Sequence, residues 1–246
     1  MKKIFLLLII ILLITGCAKN SIEELEKPDV SYEDVNIEEL NNVYSGRIIE
    51  KQGSFLSGPN EGTTFSVYDV VYTVDGREYR NYFRPELKSA LDWISANAPE
   101  KAIFLSWWDY GHMIRGYTGR EAIVYSPSED LLWTLASGTW DEESSGEFAA
   151  FDDMQDVSFA LFGDNIDQTR VLMFKHDAHY VFVSSIDEDI FKYTLFYKLY
   201  PENEFTEEEK LEKINDTVIK RFLNEEDFEF FRLVYSDEIV KIYEMY

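Results

Sequence analysis

The chain holds a single cysteine, Cys17, and it stands just behind a run of eleven apolar residues, 4–14. No disulfide can form within one chain, so whatever folds beyond this point must rest on a hydrophobic core alone. The composition allows such a core. Of the 246 residues, 46% are hydrophobic and 16% are aromatic, and a chain of this length buries most of the apolar surface it exposes when unfolded. The length suits one large domain or two small ones.

Lys2 and Lys3 precede the apolar run. Eleven residues rise only about 16 Å as a helix, half of a ~30 Å hydrocarbon layer, so residues 1–16 read as a secretory signal peptide rather than a span. Ile14-Thr15-Gly16-Cys17 resembles a lipoprotein cleavage box. That implies cleavage before Cys17, a lipid on its thiol, and an extracytoplasmic chain anchored to the cell membrane. A plain signal with an incidental cysteine is the alternative. The formal net charge is -24, and loss of Lys2 and Lys3 makes it more negative. Such a surface repels nucleic acid and anionic headgroups. Nucleic acid is therefore excluded as a partner, and membrane contact is expected only through the lipid.

Residues 17–42 are polar and acidic and read as a tether. Residues 43–84 read as an antiparallel β unit of three strands, with Asp75-Gly76 as the turn of its hairpin. Residues 85–98 predict a helix opened by Pro85, with Leu87, Leu91 and Ile94 on its apolar face. Strands are expected at 101–105, 122–125 and 180–183, and short helices at 112–117, 154–162, 168–176 and 189–200. Residues 137–153 read as a loop. Thr206 and Glu209 form a capping box for one helix over 206–223, whose apolar stripe is Leu211, Ile214, Val218 and Phe222. A hairpin over 230–243 ends the chain. The fold class is therefore α+β: a mixed α/β globular domain over 85–246 with an N-terminal antiparallel β unit.

Ser106-Trp107-Trp108-Asp109-Tyr110-Gly111 follows the 101–105 strand, in a chain with only five tryptophans. Ligands often gather outside strand ends of this kind. Indole offers an apolar face and one N–H donor, while aspartate offers acceptors. The run resembles the Trp-Trp-Asp-Tyr-Gly motif of the soluble C-terminal domain of oligosaccharyltransferase catalytic subunits, especially archaeal ones. Several later stretches extend the likeness in order: Gly119-Arg120-Glu121-Ala122-Ile123-Val124, Lys175-His176-Asp177-Ala178-His179-Tyr180, and Phe231-Arg232-Leu233-Val234-Tyr235-Ser236-Asp237. The resemblance covers roughly 85–246. It implies that Trp107, Trp108 and Asp109 bind the Ser/Thr hydroxyl of an extended Asn-X-Ser/Thr polypeptide, with the glycosylation machinery as a partner. In that family catalysis belongs to a multi-pass membrane domain, which is not legible here, and no second acceptor-contacting motif is matched. A stand-alone, non-catalytic peptide reader is expected, with no cofactor and no metal.

Competing readings remain beside this one. Trp107 and Trp108 suit a core, and Asp109 suits the cap of a helix near His112. The chain would then be a structural or assembly protein of the cell surface with an idle site. His176 and His179 are spaced as two metal ligands but lack a third, and the acidic groups 152–153, 164–167 and 187–189 suit solvated turns better than calcium. A glycoside-cleaving cleft needs two carboxylates about 5–10 Å apart, which no spacing here fixes. Asn215-Asp216-Thr217 is a glycosylation sequon.

Overall fold

The computed structural model describes residues 30–36, 46–56, 60–74, 76–125, 151–187 and 206–246. The signal, Cys17 and the 189–200 helix lie outside them, as does most of the 137–153 loop.

The first sheet has four antiparallel strands in chain order: β1 Val30–Asn36, β2 Gly46–Phe55, β3 Thr64–Val74 and β4 Arg77–Phe83. Gly76 has φ 79°, the left-handed conformation that the 75–76 turn requires. Three strands were expected, and the fourth comes from the stretch read as a tether. β1 pairs along its whole length with β2, and Tyr32 meets Phe65 edge-on, ring centres 5.9 Å apart. Its acidic residues fit an edge, where one side faces water, so composition alone cannot separate such a strand from a linker. In the middle of the sheet, buried Asp69 is ion-paired with Lys51 and Arg80, each at 2.5 Å.

A tight turn over Pro85–Leu87 leads into α1, Lys88–Asn97, which buries Ala90, Leu91 and Ile94 as the spacing predicts. Then come β5 Ile103–Leu105, α2 Trp108–Met113 with a π turn Ile114–Thr118, and β6 Glu121–Ala122. Beyond the undescribed stretch lie α3 Phe151–Phe162, α4 Ile166–Lys175 and β7 Tyr180–Ser184. The chain closes with α5 Glu207–Asn215, α6 Val218–Leu223, β8 Phe231–Ser236 and β9 Val240–Met245.

The second sheet runs β6-β5-β7-β9-β8, parallel across β6, β5 and β7 and antiparallel across β7, β9 and β8. The α+β class holds. Every residue of central β7 is buried. The Thr206–Glu209 capping box is present, but the single expected helix is two. Thr217 breaks it: its hydroxyl donates to the Ile214 carbonyl at 2.7 Å and accepts from the Lys220 N–H at 3.4 Å, opening α6. A threonine that bonds its own backbone offers an alternative to continuing the helix. Consequently Val218 and Phe222 are buried while Leu211 is 57% exposed. In the sequon, Asn215 is exposed but the Thr217 side chain is committed to this cap.

One hydrophobic core joins both sheets. Ile48, Val70, Tyr72 and Phe83 of the first sheet share it with Leu91, Phe104, Tyr117 and Phe182. Phe83 and Tyr117 stack at 5.7 Å. Among the described residues no helix is long and apolar enough to cross a membrane.

Candidate functional site

Strand β5 delivers the Trp-Trp-Asp run to the end of the parallel strands. Ser106 is fully buried, and its hydroxyl has no hydrogen-bond partner among the described residues. Trp107 is extended, with φ -63° and ψ 149°, and immediately precedes α2. Its indole is 3% exposed and meets Phe162 of α3 edge-on, ring centres 5.1 Å apart. Trp108 opens the helix and is only partly buried, its ring tilted 50° from that of Trp107 at 6.4 Å.

Asp109 lies in the first turn of α2, and the residue at the cap position is Trp107, which makes no side-chain capping bond. The expected helix start near His112 was four residues late, so Asp109 is not a cap. Its carboxylate instead meets the positive end of the helix dipole. The group is buried, with the Arg84 guanidinium 3.9 Å away. Arg84 follows β4 and spreads over the Tyr82 ring at 5.6 Å. Its position was not legible, because it belongs to the unmatched β unit and reaches the run only through the tertiary fold.

The rest of the run is architecture. Tyr110 is fully buried against Phe182, ring centres 5.2 Å apart. A Cβ on Gly111 would overlap the Val124 carbonyl group, 2.9 Å from its carbon. His112 is fully buried, and its Nε2 lies 2.6 Å from the Tyr82 carbonyl oxygen, tying α2 to the first sheet. Arg120, in the second resembling stretch, donates to the carbonyls of Ser95 and Ala98. It thereby closes the end of α1, whose last carbonyls lack helical partners.

Burial drives the His112 pKa down from 6.5 to about 4, partly offset by hydrogen bonding to the Tyr82 and Trp108 backbone. The native state therefore refuses a proton that the unfolded chain accepts. The stabilisation is complete above the unfolded value of about 6.5 and is lost as pH falls through about 4. At about 1.4 kcal/mol per unit, the loss is about 3 kcal/mol. Urea unfolding of wild type between pH 7 and 4 should show this decline. His112→Gln, which keeps a donor for Tyr82, should remove it; equal pH slopes for the two proteins would refute the assignment.

The two histidines whose spacing suits a ligand pair are not together. His179 is exposed, and its Nδ1 accepts a long bond from the Ile103 N–H at 3.5 Å. His176 instead meets α3, with Nε2 2.7 Å from Asp156 and Nδ1 3.8 Å from Asp153. Of the other acidic groups, Asp164 and Asp167 are exposed.

No model of a protein family matches the chain, and no curated protein matches it. Solved structures are similar. A C-terminal globular domain of oligosaccharyltransferase from Archaeoglobus fulgidus is 18% identical and aligns over 67% of this chain and 99% of its own, with a TM-score of 0.48. A second such domain from Archaeoglobus fulgidus is 22% identical over 66% of this chain and 96% of its own, with a TM-score of 0.42. The C-terminal domain of PglB from C. jejuni is 11% identical over 64% of this chain and 98% of its own, with a TM-score of 0.41.

Proposed function

We propose that this chain is an extracytoplasmic, lipid-anchored, non-catalytic protein that binds extended Asn-X-Ser/Thr polypeptide and assists protein N-glycosylation. Trp108 and Asp109 read the acceptor hydroxyl, and Trp107 supports them from the core. The observation that carries this reading is the division between the two indoles: Trp107 is packed into the core, whereas Trp108 keeps part of its surface in solvent one residue before Asp109, whose carboxylate is itself buried. An indole N–H donates to a hydroxyl oxygen, and an ionised carboxylate accepts the hydroxyl proton. A charge-assisted bond of this kind contributes about 1.5–3 kcal/mol, or roughly 10- to 150-fold in affinity.

The test is titration of the full chain with Asn-X-Thr and Asn-X-Ala peptides, followed by tryptophan fluorescence. The alanine peptide should bind at least about tenfold more weakly, because it leaves the buried carboxylate without the hydroxyl. Equal affinity for the two peptides, or none for either, would reject the reading.

A second reading draws on the burial of Asp109 beside Arg84. There the run is wholly structural, and the protein serves in assembly at the cell surface with an idle site. This version requires no peptide discrimination and a Trp108→Ala variant that captures partners as wild type does.

A further inference from the structure

The turn between α4 and β7 faces the start of α3, and the two together form a compact group of donors. Asp153 and Asp156 are three apart on α3, so they share one face. His176 caps the end of α4. One donor atom from each of Asp153, Asp156 and His176 lies within 4.8 Å of the other two. We propose that these three side chains bind a divalent transition-metal ion of the zinc type, clamping α3 to α4.

The donor set suits that class. One imidazole nitrogen and two carboxylate oxygens are common zinc ligands, with bonds of about 2.0–2.2 Å. Two ligands on one tetrahedral ion lie about 3.4 Å apart, and His176 Nδ1 is 3.8 Å from Asp153 Oδ1. The three donor atoms lie within 4.8 Å of one another, so the widest pair closes by up to about 1.4 Å to hold one ion. A pure oxygen cage, as calcium prefers, is not what the fold assembles here.

The histidine makes the arrangement more than an acidic surface. Each ring nitrogen faces a carboxylate, Nε2 towards Asp156 at 2.7 Å and Nδ1 towards Asp153 at 3.8 Å. A metal ion takes one ring nitrogen, and the other keeps its N–H as a hydrogen-bond donor. His176 is only 14% exposed and Asp156 only 17%, so two of the three ligands are largely held in place by packing. Lys175 pairs with Asp156 at 2.5 Å, but its side chain is 54% exposed and can move aside. The site does not depend on peptide reading, though α3 is also the helix whose Phe162 supports Trp107.

The experiment is calorimetric titration of the chelator-stripped full chain with zinc chloride, with thermal melting in parallel. Wild type should bind one zinc per chain and melt at a higher temperature when loaded. Asp153→Asn and His176→Gln should each weaken binding by about tenfold or more, since loss even of a group that merely orients a metal ligand costs that much. His179→Gln should leave the affinity unchanged, and Lys175→Ala should tighten it severalfold. Asp153 is the most exposed ligand, 37%, so its variant keeps the fold and carries the test even where His176→Gln unfolds. Undiminished affinity in Asp153→Asn, or no saturable binding by wild type below about 1 mM zinc, would overturn the assignment.

Discussion

Trp107→Ala should destabilise the protein by about 4 kcal/mol, the range for emptying a buried large aromatic site. The indole is 3% exposed, belongs to the shared core, and packs edge-on against Phe162. Its loss leaves a cavity between β5 and α3 that neither element can close, because β5 is hydrogen-bonded to both β6 and β7. Trp108→Ala removes the same side chain one residue later. It should cost less than half as much, since that ring is only partly buried. Urea denaturation of the two variants measures the contrast directly. Similar losses would mean that the two indoles share one role.

Gly111→Ala should be destabilising by about 3 kcal/mol or more. This reverses the ordinary preference, because alanine in a helix is favoured over glycine by about 1 kcal/mol. The cause is a close approach between two backbones. A Cβ at 111 would overlap the Val124 carbonyl oxygen and lie 3.2 Å from the Tyr125 Cα. Main-chain atoms cannot swing aside as a flexible side chain can. The stretch is also pinned from the other side, where the Ile123 N–H donates to the Phe104 carbonyl at 3.0 Å. The glycine of the run is thus explained by packing of α2 on the segment after β6, with no ligand involved. A Gly111→Ala variant as stable as wild type in the same denaturation would contradict that packing.

These two residues show what the sequence could and could not convey. Local chemistry was readable. Thr206 with Glu209 capped a helix, Asp75-Gly76 marked a hairpin, and Leu87, Leu91 and Ile94 traced a buried face, because each signal lies within a few residues of its consequence. The division of labour inside the Trp-Trp-Asp run was not readable. Whether Trp107 or Trp108 enters the core depends on Phe162, and the surroundings of Asp109 depend on Arg84; both arrive from distant elements. The β1 strand was hidden for a related reason, since its stability lies in pairing with β2 rather than in its own composition. His176 carried a hint of metal chemistry, but the spacing pointed to His179, whereas the fold supplies Asp153 and Asp156 from another helix.

The central claim is that Trp107 supports and Trp108 reads. Two-dimensional proton–nitrogen NMR of the indole N–H signals, assigned through Trp107→Phe and Trp108→Phe, tests it at single residues. Addition of an Asn-X-Thr peptide should shift the Trp108 signal and leave that of Trp107 in place and protected from solvent exchange, while an Asn-X-Ala peptide should move neither at the same concentration. A Trp108 signal indifferent to both peptides, or a Trp107 signal that exchanges and shifts with it, would contradict the claim.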